Sequence, residues 1–98
     1  PTAAVAGTPT AAACDLIAEL ESMDRGRYAG PVGWIGADGD GEWALALRTG
    51  RVDPDDPRHL RLFAGCGIVA ASDPAAELAE SEAKLEPMRR ALGNPTRG

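Results

Sequence analysis

The sequence predicts an α+β fold in which a helix is followed by a three-stranded antiparallel meander and then by a second helix. Apolar residues recur at helical spacing from Ala13 to Met23 and again from Leu78 to Leu92. In the middle of the chain apolar and polar residues alternate, which is typical of half-buried strands. Residues 38–41 read Asp-Gly-Asp-Gly, a turn signal that predicts a hairpin between the first two strands.

The first helix is predicted over residues 9–23. Thr8 is placed to cap its start, Pro9 suits the first helical position, and Gly26 follows the end of the apolar pattern. The strands are predicted over residues 28–36, 42–50 and 59–69.

The second helix follows a capping signal. Asp73 is predicted to be its N-cap, with Pro74 at the first helical position. Its pattern ends near Gly93, and its apolar face is expected to carry Leu78, Leu85, Met88 and Leu92.

Composition excludes several classes of partner. The net charge is −5 and no Lys/Arg cluster is present, which excludes nucleic acid and an anionic membrane. No apolar run approaches the ~18 residues of a membrane span and no signal peptide is recognisable, so the protein is expected to be cytoplasmic. A chain of 98 residues has little core. Its sheet is expected to need more protein against it, and the start at Pro1 indicates a fragment.

The two cysteines do not form a metal or redox motif. Cys14 and Cys66 lie in different predicted elements, without C-x-x-C spacing and without a nearby histidine. Two reduced, buried thiols are the expected state, although spacing alone leaves a disulfide open.

Three charged residues of the second helix share one stripe. Glu77, Glu80 and Lys84 are separated by three and four residues, so their side chains point the same way. Two carboxylates beside an ammonium suit a site for Mg²⁺ and a small anion. A solvated face with an ordinary Glu80–Lys84 pair is the alternative.

The segment before this helix is rich in glycine. Gly65 and Gly67 allow the backbone to approach a ligand closely, or else they mark a bulge. Residues 65–70 also satisfy the loose dinucleotide pattern G-x-G-x-x-A. We reject that interpretation because the helix begins only at Pro74 and no parallel strand follows.

Arg48 is the other informative charge. It ends the apolar run over residues 44–47, and a guanidinium at the end of a buried strand needs an anionic partner. That partner is either a protein carboxylate or the carboxylate of a substrate.

Together these segments resemble the C-terminal part of the chorismate-utilising enzymes, and within that family the isochorismate synthases of menaquinone and siderophore biosynthesis. The resemblance covers nearly the whole chain and is carried in order by residues 1–9, 25–34, 47–48, 64–69 and 77–84. It implies that residues 1–98 are the C-terminal segment of a larger α/β sandwich of the chorismate-binding type. The implied activity is Mg²⁺-dependent conversion of chorismate to isochorismate by hydroxyl exchange.

The resemblance also implies roles for individual residues. Glu80 would bind Mg²⁺ directly and Glu77 would be a second or water-mediated ligand. Lys84 would lie close to metal and substrate, and Arg48 would hold a substrate carboxylate. The remaining substrate-binding positions implied by the resemblance are Ala4, Tyr28, Gly65 and Gly67.

The family's general base, a lysine, and its general acid, a glutamate, are expected upstream of Pro1, in the rest of the polypeptide. The isolated segment is therefore expected to be inactive. Ala4 and Thr10 favour an isochorismate synthase over the salicylate and anthranilate synthases, which usually carry threonine at the place of Ala4. A salicylate or anthranilate synthase, or a non-catalytic binding module with the same fold, is the alternative.

Overall fold

The computed structural model describes residues 2–93, which form two helices and four strands. The α+β class is therefore confirmed. The chain divides into two compact units, one ending at Ala46 and the other beginning at Leu47. In chain order the elements are α1 (Thr10–Leu20), β1 (Pro31–Ile35), β2 (Gly41–Leu45), β3 (Thr49–Val52), β4 (Leu60–Phe63) and α2 (Pro74–Ala91).

Helix α1 is shorter than predicted at both ends. Pro9, not Thr8, is its N-cap, so the predicted Thr8 cap is wrong. The helix ends at Leu20 because Glu21 has extended backbone, with φ −78° and ψ 128°. The Glu21 carboxylate binds the Arg25 guanidinium at 2.7 Å, and the Asp24 carboxylate accepts the Gly26 N–H at 2.7 Å. The Asp24 bond to the backbone competes with further helix.

Strands β1 and β2 form the predicted antiparallel hairpin, with Trp34 opposite Glu42. The turn between them is confirmed: the Gly39 N–H donates to the Gly36 carbonyl at 3.0 Å. Gly39 has φ +90°, a conformation that favours glycine. The first strand starts later than expected because the Tyr28 N–H donates to the Arg25 carbonyl, which closes a turn.

The predicted three-stranded meander is wrong. The structure has two separate two-stranded sheets, β1–β2 and β3–β4. The predicted second strand over residues 42–50 is split, because the ladder ends at Leu45 and Arg48 has φ +46°. A left-handed residue interrupts the regular extended backbone of a strand. Thr49 then begins a new strand, opposite Phe63 of β4.

Helix α2 begins and ends close to the predicted positions, but Leu78 and Leu92 of its expected apolar face are exposed. The Asp73 side chain accepts a hydrogen bond from the Ala76 N–H at 3.0 Å, and Pro74 occupies the first turn. Glu77 lies in the first turn, where a negative charge is favourable, and Arg89 and Arg90 lie in the last. The helix continues through Pro87, which lies inside the predicted helix as well.

Little of the apolar surface is buried among the described residues. Phe63, with 6% of its surface exposed, is their one buried hydrophobic residue. On the β1–β2 hairpin Trp34 and Trp43 are 57% and 58% exposed. Trp34 pairs with Glu42 and Trp43 pairs with Gly33, so each face of the hairpin carries one exposed tryptophan. No helix in the described part of the chain has the length and apolarity that crossing a bilayer requires.

The Asp73 cap gives a prediction about stability. We expect Asp73→Ala in the full-length protein to lower the free energy of unfolding by roughly 1 kcal/mol, because the Ala76 N–H loses its acceptor. Chemical denaturation measures the change. Asp73→Asn retains a side-chain oxygen and is the matched control, for which stability should stay close to that of the wild type. Equal stability of Asp73→Ala and the wild type would contradict the assigned cap.

Candidate functional site

The glycine-rich loop, residues 64–69, connects the buried end of β4 to the start of α2. Phe63 fixes one end of the loop in the small core. At the other end the Val69 N–H donates to the Ser72 hydroxyl at 2.9 Å, and the Ser72 N–H donates to the Val69 carbonyl at 3.0 Å. The loop is therefore held at both ends, while Gly65 and Gly67 are exposed between them. A Cβ built at Gly67 meets no atom within 4 Å.

Lys84 joins this loop to helix α2. Its Nζ donates to the Gly65 carbonyl at 2.9 Å and lies 3.0 Å from Glu80 Oε1. The Lys84 side chain is 23% exposed and that of Glu80 is 54% exposed. The structure thus brings together three of the residues that the sequence singled out, on the exposed side of the loop.

Cys66 makes a second contact between the loop and the helix. Its Sγ donates to the Glu77 backbone carbonyl at 3.5 Å. Hydrogen bonding to Glu77, with the negative charges of Glu77 and Glu80, raises the pKa of the Cys66 thiol above its ordinary value. Cys14 and Cys66 are both free thiols. The sequence predicted only a reduced thiol at Cys66, because no spacing gives a signal for this contact.

Arg48 lies at the same end of the β3–β4 ladder as the glycine-rich loop. Thr49 pairs with Phe63, so Arg48 precedes β3 where the chain leaves β4 for Gly65. Its side chain is exposed and has no hydrogen-bond or ion-pair partner among residues 2–93. The expected position at the end of a long strand is wrong, because Arg48 lies in the connection between β2 and β3.

Two predicted positions belong to the other compact unit. Ala4 is exposed in a turn that is closed by the Ala6 N–H donating to the Thr2 carbonyl at 2.8 Å. Tyr28 is half-buried, with the Arg25 guanidinium 5.4 Å from its ring centroid. Tyr28 also lines a largely apolar cleft of about 740 Å³ within that unit, whereas Ala4 does not.

The two carboxylates on α2 suit a hard divalent cation that binds few protein ligands. No group of three or more His, Cys, Asp or Glu side chains within residues 2–93 is arranged to hold a metal ion. Mg²⁺ commonly takes only one or two carboxylates and completes its shell with water and substrate oxygens. Glu80 already faces the ammonium of Lys84, so its carboxylate accepts a cation in this arrangement. Glu77 and Glu80 are the residues that would hold such an ion.

Comparison with known proteins gives consistent matches. The profile of the family described as chorismate binding enzyme matches residues 1–93. Isochorismate synthase MenF of Bacillus subtilis is 47% identical over 99% of this chain, which spans 20% of that relative. Isochorismate synthase EntC of Escherichia coli K12 is 43% identical over 95% of the chain, which spans 23% of it. The salicylate biosynthesis isochorismate synthase of Pseudomonas aeruginosa is 48% identical over 94% of the chain, which spans 19% of it.

Proposed function

The chain belongs to the chorismate binding enzyme family, and from that premise we propose that it forms part of an isochorismate synthase. The reaction would be conversion of chorismate to isochorismate by exchange of a hydroxyl group. The observation that carries the proposal is the contact of Lys84 with both Gly65 and Glu80. It supports a single site formed by the glycine-rich loop and the charged stripe of α2.

Each element of this site has a task in the proposed reaction. Glu80 and Glu77 would hold Mg²⁺, which when bound supplies a Lewis acid that orients a substrate carboxylate. Gly65 and Gly67 are exposed, and because they carry no side chain that blocks approach, their N–H groups would be open to an anion. Lys84 adds a positive charge within reach of the same space.

Arg48 would hold a carboxylate of chorismate. A guanidinium presents parallel donors that match a carboxylate, and Arg48 has no protein partner within the described chain. Of the two partners that the sequence left open, the substrate carboxylate is therefore the one we propose. The roles that the resemblance assigns to Tyr28 and Ala4 in substrate binding stay predictions.

Proton transfer would come from elsewhere in the polypeptide. The chain spans only 20% of the length of its Bacillus subtilis relative, and the family resemblance assigns neither the general base nor the general acid to residues 1–98. We also propose that the rest of such a polypeptide covers the exposed hairpin that carries Trp34 and Trp43. The proposed location is the cytoplasm, where chorismate would be available as a small-molecule substrate.

The product made by the full-length protein tests the proposed activity. We expect incubation with chorismate and Mg²⁺ to yield isochorismate, identified by chromatography and mass spectrometry against authentic standards. The alternatives predict other products: pyruvate with salicylate, or pyruvate with anthranilate when ammonia is supplied. Absence of turnover under all these conditions would favour the non-catalytic binding module.

Glu80 gives the test of the metal site. We expect Glu80→Gln in the full-length protein to remove most of the Mg²⁺-dependent turnover, because one negative ligand is lost. The melting temperature should stay within a few degrees, since an exposed i,i+4 pair contributes only a few tenths of a kcal/mol. Glu77→Gln should act in the same direction but more weakly.

The control for this test is Glu82→Gln. Glu82 lies on the same helix and pairs with Arg89 at 2.9 Å, so this substitution removes the same charge away from the proposed site. Its Mg²⁺ activation curve should match that of the wild type. If Glu80→Gln also leaves the activation curve unchanged, the stripe is only a solvated face.

Arg48 gives the test of substrate binding. Arg48→Lys keeps the charge but loses one of two parallel hydrogen bonds, each worth ~1.5 to 3 kcal/mol, so kcat/KM should fall roughly ten- to a hundredfold. The melting temperature should be nearly unchanged, because Arg48 has no partner within residues 2–93. Arg51→Lys, on the exposed part of β3, is the matched control and should retain full activity. A destabilised but fully active Arg48→Lys variant would remove Arg48 from the site.

A further inference from the structure

Lys84 is the only lysine in the chain, and both of its observed contacts lie in the proposed site. An ammonium group has three N–H donors. One is directed to the Gly65 carbonyl at 2.9 Å and another to Glu80 Oε1 at 3.0 Å. The third donor has no hydrogen-bond partner in the described part of the chain. Lys84 is thus held by a hydrogen bond to the Gly65 carbonyl and forms an ion pair with the Glu80 carboxylate.

Only one of the two acceptors, the Glu80 carboxylate, would also bind a metal ion. Glu80 would bind a divalent cation, whereas the Gly65 carbonyl belongs to the loop and lies 19 residues away in sequence. A divalent cation at Glu80 competes with the ammonium for the same carboxylate and repels it. The bond to Gly65 keeps Lys84 beside the loop after the carboxylate is lost.

We propose that Lys84 occupies the cation position at Glu80 in the metal-free protein and releases that carboxylate when a divalent metal ion binds. This inference rests on the proposed function, because it takes Glu80 as a metal ligand. Release leaves two donors of Lys84 without a partner in the part of the chain that the structure describes, beside the glycine-rich loop. The lysine then offers its charge to an anionic group of the substrate. Metal and anion would therefore each strengthen the binding of the other, as linkage requires.

In this role Lys84 competes with the metal ion for Glu80 and contributes to binding of the substrate. Its removal should strengthen binding of Mg²⁺ and weaken turnover, two effects of opposite direction. A residue that merely stabilised α2 or the loop would, when removed, weaken both or neither. The direction of the change in metal affinity therefore separates this role from a structural one.

Calorimetric titration of Mg²⁺ into the full-length, metal-free protein tests this role without substrate. We expect Lys84→Gln to bind Mg²⁺ roughly tenfold more tightly than the wild type, because a unit charge a few ångströms from the ion is removed. Arg90→Gln is the matched control, since Arg90 lies on the same helix, pairs with Glu86 at 3.8 Å and carries the same charge. Its Mg²⁺ affinity should equal that of the wild type. Unchanged or weaker binding by Lys84→Gln would overturn the proposal.

A measurement on the wild type covers the case in which Lys84→Gln does not fold. An amine-reactive ester should label Lys84 several-fold faster with Mg²⁺ present than without it, because the Glu80 ion pair no longer protects the amine. Mass spectrometry of the peptide containing Lys84 gives the rate, and in Glu80→Gln the effect of Mg²⁺ should disappear. Labelling that Mg²⁺ does not change in the wild type would contradict the proposal.

These outcomes are separate from those of the product assay. Isochorismate formation together with unchanged metal affinity in Lys84→Gln would reject the role of Lys84 and keep the proposed activity. Tighter Mg²⁺ binding by Lys84→Gln in a protein that does not act on chorismate would do the reverse.

Discussion

The Lys84 ammonium provides the contact on which the candidate site depends. Its bonds to the Gly65 carbonyl and the Glu80 carboxylate join a loop and a helix that have few other contacts. The hydrogen bond between Cys66 and the Glu77 carbonyl adds a second link near the start of the same helix. Without these links the loop would be held only at its ends. The contact between the glycine-rich loop and the charged stripe of α2 therefore depends on the Lys84 ammonium, with the Cys66 hydrogen bond beside it.

A second constraint is the left-handed backbone of Arg48. Its φ of +46° ends the ladder of the first hairpin and lets Thr49 start a new strand. Non-glycine residues in such sparsely populated conformations cost of the order of 1 to 3 kcal/mol and persist where their surroundings hold them. As a result, Arg48 lies in the connection between β2 and β3, at the end of the β3–β4 ladder from which the glycine-rich loop continues. The same backbone feature divides the predicted second strand into β2 and β3.

The exposed apolar surface gives the structure its wider context. Trp34, Trp43 and Ile35 each have more than half of their surface exposed, and Phe63 is the sole buried hydrophobic residue in the described part of the chain. Hydrophobic burial is the main favourable term in folding. A core this small therefore contributes little to the free energy of folding. The curated relatives are about four to five times longer than this chain. Their additional length is consistent with the proposal that further polypeptide covers these faces.

The sequence by itself determined the elements whose signals are local. Asp73 and Pro74 specified the start of α2, residues 38–41 specified the hairpin turn, and the spacing of Glu77, Glu80 and Lys84 specified one helical stripe. These features depend on neighbours a few residues apart, which a sequence pattern records. The order of motifs also identified the family correctly.

Only the tertiary structure decided which strands pair and which side chains meet. The alternating run over residues 42–50 read as one strand, because alternation shows no break where a single backbone dihedral changes sign at Arg48. The contacts from Lys84 to Gly65 and from Cys66 to Glu77 span 19 and 11 residues. No periodicity encodes such contacts, because they depend on how the chain returns in space after the loop. The sequence determined which groups the site contains, and the path of the backbone decided which of them touch.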